Sequence, residues 1–310
     1  MPDTFAISSD FANTIQPALQ KKVLPKIREE LRFAQLAREG RIDRGSDRLR
    51  FFKTTDVAES TAVLPDEISQ PTIEALPLFT TVDITPTEIG RVWGISRRAK
   101  NLSLYDLVDI ARDTIGYDAS RRIDTIVRDV LLTGGTVMYA GAATSRITVG
   151  AGDTLKMNDA RRWLVRLDSM NLPSDGLVAI THPFVVGDLM ADTASPGGWQ
   201  TVNVYGGSGQ GILNGELGRA YGTRFVTTTR SKAYAGAGAA GATVYVTFVG
   251  VSPRVIGSAT VTDLEFKYNA QSDKSDLLNR KTLLGYYMDY GAGLIESTQY
   301  IRFESGATSV

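Results

Sequence analysis

Apolar side chains return every three or four residues through Leu104, Leu107, Val108, Ala111, Ile115, Ala119, Ile123, Val127 and Leu131, with Asp109, Arg112, Asp113, Arg121 and Arg128 between them. That period predicts one amphipathic helix. Ser103 is its expected N-cap, Asp106 sits at the third helical position, and Gly134-Gly135 is the stop. Roughly 30 residues at about 1.5 Å each give a rod of about 45 Å, and Gly116 permits a bend within it. Upstream, Arg48–Thr55 and Thr87–Arg98 alternate as two-faced strands, with Ile89, Arg91, Trp93 and Ile95 on one face of the second. Between them, Asp56–Leu78 carries Pro65, Pro71 and Pro77 and no sustained period. Two strands joined by so long a connection are marginal alone. Packing from outside the chain is the expected support.

The remaining pattern is mixed. Leu19, Val23, Ile27 and Leu31 predict a helix over Pro17–Glu39, kinked or broken at Pro25 and stopped by Gly40. Asn158–Met170 and His182–Asp192 read as helices, the second with Pro183 in its first turn. Gly176–Thr181, Arg219–Thr229, Thr243–Val251, Thr260–Tyr268 and Leu283–Phe303 read as strand-bearing stretches, and Ala233–Ala242 as a mobile low-complexity loop. No βα unit repeats. The order predicts an α+β protein.

Composition narrows the function more than the fold. The 34 basic and 34 acidic side chains cancel, which argues against a dedicated nucleic-acid or anionic-membrane binder. There is no cysteine and one histidine, His182, so disulfides, thiolate chemistry and sulfur-held zinc are excluded. No apolar run approaches the roughly 20 residues that span a bilayer, and the first residues lack the pattern of a signal peptide. A soluble protein made in the cytoplasm is expected.

Candidate chemistry is sparse. Gly236, Gly238 and Gly241 have G-x-G-x-x-G spacing but lead into a strand, whereas the phosphate-binding mechanism needs a following helix N-terminus. His182 has no placeable nucleophile or orienting partner, so a capping role is favoured. Ser208 lacks the frame of a nucleophile elbow. Asp273 and Asp276, beside Lys274, Arg280 and Lys281, read as a mixed-charge turn before a cation site. No enzyme activity, cofactor or metal is expected. Arginines remain, concentrated on the two strands and the connector before them: Arg41, Arg44, Arg48, Arg50, Arg91, Arg97 and Arg98. A solvated face is the bland account of each. Their planar forks also suit contacts with carboxylates of another protein chain.

The stretches RLRFFKTTDVAE, TEIGRVWGISRRAKNLSLYDLVDIARDTIGYDASRRIDTIVRDVLLTGG, GLVAITHPFVVGDLMAD, GELGRAYGTRFVTTT and LLNRKTLLGYYMDYGAGLI, in this order, resemble the major capsid protein of tailed double-stranded DNA phages. The likeness is to the Hong Kong ninety-seven capsid fold, in the branch found in N-four-like phages, and it runs from about Phe11 to Glu304. The resemblance implies an N-terminal arm over residues 1–45 and an extended loop over 46–100. It implies a peripheral domain over 101–157 with a spine helix at 103–133, an axial domain over 158–258, and C-terminal strands over 259–310 returning through the peripheral domain. Such subunits form pentamers and hexamers of an icosahedral shell around DNA, assembled in the host cytoplasm and resident in the virion. The chain lacks the family's usual N-terminal scaffolding extension, so a separate scaffolding protein is implied. A portal, a decoration protein and non-specific contact with packaged DNA are further implied partners; a membrane is not. Candidate inter-subunit contacts are Arg48, Arg50, Phe52, Arg91, Trp93, Arg97, Arg98, Asp273 and Asp276. The alternative is the shell of a cellular nanocompartment of the same fold.

Overall fold

The computed structural model describes residues 28–43, 45–54, 59, 79–103, 106–170, 176–192, 199–201, 216–251, 255–269, 278 and 280–308. In chain order the strands and helices are β1 (Ala37–Arg41), β2 (Leu49–Lys53), β3 (Thr80–Ile84), β4 (Thr87–Ser96), α1 (Arg97–Leu102), α2 (Leu107–Leu131), β5 (Thr136–Tyr139), α3 (Met157–Asp168), β6 (Leu177–Thr181), α4 (Pro183–Ala191), β7 (Trp199–Thr201), β8 (Glu216–Ala220), β9 (Thr223–Thr227), β10 (Ala233–Tyr234), β11 (Val244–Val251), β12 (Ile256–Thr260), β13 (Glu265–Asn269), β14 (Lys281–Leu294) and β15 (Tyr300–Ser305).

The expected long helix is present, but its start differs. Ser96 caps the short α1 through Ala99 N–H, and Ser103 ends that helix. Asp106, not Ser103, caps α2, accepting from Val108 and Asp109 N–H. A carboxylate there satisfies two orphan donors and meets the positive helix end, so it outcompetes a hydroxyl three residues earlier. The 25 residues of α2 make a rod of about 37 Å. Gly116 does not interrupt it and faces the Phe266 ring. The buried stripe is Val108, Ile115, Ala119, Asp124, Val127 and Leu131. Gly134 and Gly135 end it as expected. Gly135 adopts φ +83°, and any side chain there would strike the Tyr300 ring.

The N-terminal helix expected to reach Glu39 is overturned where the chain is described. Residues 34–36 make one 3₁₀ turn, and Ala37–Arg41 is a strand lying parallel to β12, with Ala37 opposite Ile256 and Arg41 opposite Thr260. Sheet pairing there outweighs local helix propensity, which is a weak prior.

Two sheets carry the fold. In one, β14 is the central ribbon: β4 pairs along ten of its residues, from Lys281 opposite Ser96 to Tyr290 opposite Thr87. On its other side lie β13 and then β12, with β1 beyond β12. Helix α2 covers the inner face of this sheet, where Val108, Ile115 and Ala119 meet Leu284, Tyr286 and Met288. The strand over Thr87–Arg98 therefore needs no outside partner, contrary to expectation, because β14 supplies one from some 200 residues downstream.

The second sheet has the order β5-β15-β11-β6-β9-β8-β7, with β10 on β11. α3 and α4 contribute to its largest core, in which Trp163, Leu167 and Leu189 pack with Phe225 and Phe303. A further cluster, with Phe33, Val127, Leu131, Phe248, Ile256, Tyr290 and Tyr300, draws on both sheets and the end of α2. Strands β5 and β15 both enter this second sheet, β15 lying between β5 and β11.

β2 and β3 form a separate two-stranded ribbon, Lys53 opposite Thr80 and Leu49 opposite Ile84. The partner of the first strand is thus β3, not β4. The ribbon rests on the first sheet through Leu49, Phe51 and Ile84, beside Ile42 and Ala259. Gly257 lies under the Phe51 ring and Gly293 under Ile84; a Cβ would come within 2.7 Å and 2.9 Å of them respectively.

Candidate assembly surface

The ribbon turns one face inward and one out. Leu49 and Phe51 point to the sheet, while Arg50 and Phe52 alternate outward, and the Phe52 side chain is 71% exposed. Arg50 donates Nε and Nη2 to the two Asp83 oxygens, each at 2.7 Å, directly across the ribbon. Arg48 donates to Asp47 at 3.1 and 3.0 Å and stands 3.7 Å from Asp83. The Arg50 hydrogen bonds hold the Asp83 carboxyl below its ordinary value, and those of Arg48 do the same for Asp47. Both arginines therefore have partners within the chain. Lys53 reaches Glu296 at 2.6 Å and moors the ribbon to the end of β14.

On β4, Trp93 is half-buried. It packs with the α2–β14 cluster, and its ring centroid lies 6.1 Å from that of Tyr286. Arg91 lies over Trp93, 4.9 Å from the ring centroid, and reaches Asp118 on α2 at 3.3 Å. Arg97 and Arg98 differ. They open α1 fully outward, and their guanidinium groups form no ion pair among the described residues. Only the Arg97 backbone is engaged, donating to Arg280 O at 2.7 Å. Asp273 and Asp276 lie outside the described residues, as does Ser208.

Several exposed groups on this surface escaped sequence reasoning. Val92 is 68% and Leu102 75% exposed; Val92 was visible in the alternation as the outward partner of Trp93. Glu88 and Asp289 face each other across β4 and β14, a pairing that local patterning cannot reveal. Tyr287 donates to both Asp289 oxygens at 2.9 and 3.0 Å, and this bond pushes its own ionisation up to about 12.

Inside, the structure exposes a polar hub. Asp124 is fully buried on the α2 stripe. Its Oδ1 accepts from Phe33 N–H at 2.8 Å and Ala34 N–H at 3.2 Å, and its Oδ2 from Arg230 Nε at 2.8 Å. Arg230 also donates to Glu29, Thr125 and Arg121 O. Buried Glu304 is held in the same way, accepting from Arg146 at 2.6 and 2.8 Å. A charge within the stripe Ala119–Ile123–Val127 was the signal for Asp124. These pairs are packing devices: each carboxylate is saturated by donors and none opens into a cleft.

The other candidates for chemistry dissolve. His182 caps α4, its Nδ1 accepting from Phe184 N–H at 3.3 Å, with Phe184 and Tyr245 rings beside it. Burial lowers its ionisation from 6.5. The loop with Gly236, Gly238 and Gly241 ends in β11, not a helix, and is anchored by Ala239 N–H on Val149 O at 2.8 Å. It is fastened rather than free. Among the described residues no three acidic or histidine side chains gather as a metal site, and no helix is long and apolar enough to cross a membrane.

A family model described as phage capsid protein matches residues 79–301, most of the chain. No match is found among curated protein sequences. Among solved structures, the chain is similar to one from the capsid of Ralstonia phage GP4, at 14% identity over 99% of both chains with a TM-score of 0.73. It is also similar to a chain from the capsid of Cyanophage P-SCSP1u, at 15% identity over 96% of this chain and 94% of that one, TM-score 0.72. A third likeness is to the capsid of Cyanophage Pam1, at 14% identity over all of both chains, TM-score 0.70. At such identities the structures speak for the fold, which is the Hong Kong ninety-seven capsid type. With a match that spans the spine helix and most strands of both sheets, the chain belongs to the phage capsid protein family and is a structural subunit of the virion shell.

Proposed function

We propose that this subunit closes into pentamers and hexamers of an icosahedral shell enclosing double-stranded DNA, and that residues 46–100 act in it as an extended loop. The supporting observation is the outward surface of that region. Within it Phe52, Phe79 and Val92 are each more than 60% exposed, and exposed large apolar side chains are what an interaction surface offers. The loop gains its cover from a neighbouring copy, through a heterologous contact that closes into a ring. Residues 101–157 form the peripheral part around the spine helix, 158–258 the axial part, and 259–310 the returning strands. Assembly takes place in the host cytoplasm with a scaffolding protein and a portal, and a decoration protein and the packaged DNA touch the finished shell.

Electron microscopy and nuclease treatment of particles purified from expressing or infected cells test this reading. Icosahedral shells protecting genome-length DNA in infected cells are expected; shells holding a protein cargo and no DNA would replace it with a nanocompartment. A deletion locates the loop's role. Lys53 and Thr80 are directly opposed, so residues 56–78 can be exchanged for a short turn without disturbing the ribbon. That variant is expected to fold and fail to form stable shells. Normal particle yield would refute the extended-loop assignment.

A further inference from the structure

The β4–β14 ribbon is electrically polar from end to end. At one end Glu88 and Asp289 stand directly opposite each other. Inward-facing Ile89 and Met288 sit beside them, so both carboxylates lie on the outer face of the sheet. Neither forms an ion pair among the described residues, and like charges placed directly opposite on a sheet are destabilising. Tyr287 donates to both Asp289 oxygens, a hydrogen bond that brings no positive charge.

At the other end the same strand runs into α1, where Arg97 and Arg98 are exposed, Lys100 follows in the last turn, and Arg280 abuts through its carbonyl. The ten residues of β4 place the two ends about 30 Å apart, several Debye lengths at physiological salt. They cannot neutralise each other within one chain.

Resting on the shell reading above, we propose that these two ends meet between copies: the Arg97/Arg98 end of α1 in one subunit docks on the Glu88/Asp289 pair of the next. The contact is head-to-tail, which is the kind that propagates around a ring. Complementary charge supplies register and encounter rate more than raw affinity. It gives the opposed carboxylates ion-pair partners that they lack among the described residues, and it uses two arginines whose guanidinium groups form no ion pair among those residues.

Reciprocal charge exchange tests it, read as particle yield by sedimentation and electron microscopy beside the melting temperature of the unassembled subunit. R97E/R98E and E88R/D289R are each expected to cut wild-type yield roughly tenfold or more at physiological salt. The chain carrying all four changes is expected to recover most of the loss. A neutral variant, E88Q/D289N, guards against misfolding: it should melt slightly higher than wild type because the repulsion is gone, yet assemble less well. A fourfold variant that stays as defective as the pairs, or an E88Q/D289N chain that assembles like wild type, overturns the contact. Wild-type protein that forms no particle in infected cells, where scaffolding protein and portal are present, would overturn the shell reading itself, so the two failures are separate.

Discussion

Two arginine–carboxylate pairs of nearly equal length lie in very different parts of this subunit. Arg230 and Asp124 are 2.8 Å apart with side chains 4% and 0% exposed, whereas Arg50 and Asp83 are 2.7 Å apart at 50% and 28%. Distance does not rank them; surroundings do. At the ribbon surface, water and salt screen the attraction, and either partner released is solvated at once. Inside, a released partner has no water to turn to. The buried pair also carries a mechanical burden, because Asp124 holds Phe33 and Ala34 by their N–H groups. One pair keeps the segment before β1 against α2; the other dresses a surface.

The largest effect should come from breaking the inner pair. Asp124→Ala strands the Arg230 charge and two backbone donors, and is expected to cost about 3–5 kcal/mol, read from the shift in denaturant midpoint. A loss below about 1 kcal/mol would erase the distinction drawn above. The same change should expose residues 28–36 to hydrogen exchange ahead of the rest of the fold.

A smaller, pH-dependent effect is expected at His182. Burial lowers its ionisation from 6.5, so the unfolded chain binds the proton more readily than the folded one. Its contribution to stability is present in full above about pH 6.5 and is lost as the pH falls below that value. His182→Asn keeps a good cap on α4 without a titrating ring. Its melting temperature should therefore fall less than that of wild type between about pH 6.5 and 5, by about 2 °C or less. Parallel pH profiles would remove His182 from the account.

Smallest of all should be the outer pair. In a double-mutant cycle of Arg50→Ala and Asp83→Ala, the coupling should be near the limit of measurement and vanish in high salt. A coupling that persists in high salt would mean that the ribbon is drier than its exposure implies.

Much of the frame was legible in the chain, because local periodicity sets it. The α2 stripe, its glycine stop, the α3 and α4 helices and β11 all follow from spacings within a few residues. What was lost depends on distant partners. Ala37–Arg41 looked helical until β12 claimed its backbone, and β3 was hidden behind a proline-marked stretch. The same limit governs the assembly surface. Arg97 and Arg98 emerged as outward groups, whereas Arg48 and Arg50 had neighbours, Asp47 and Asp83, that quiet them. Trp93 is half-buried beside the Tyr286 ring, which reaches it only through a strand nearly two hundred residues away. Glu88 and Asp289 are unremarkable singly and acquire meaning from their register alone.

The seat of the β2–β3 ribbon has a consequence of its own. Among the described residues no backbone hydrogen bond joins the ribbon to either large sheet. It bears instead on bare glycine backbone at Gly257 and Gly293, beneath Phe51 and Ile84. A ring on a flat surface resists lifting but offers little against rotation, since dispersion contacts have no direction. The ribbon is held by these dispersion contacts, by the Lys53–Glu296 pair and by the two-residue link from β3 into β4. A side chain added at Gly257 or Gly293 would therefore lift the ribbon while leaving every rung of the sheets below untouched.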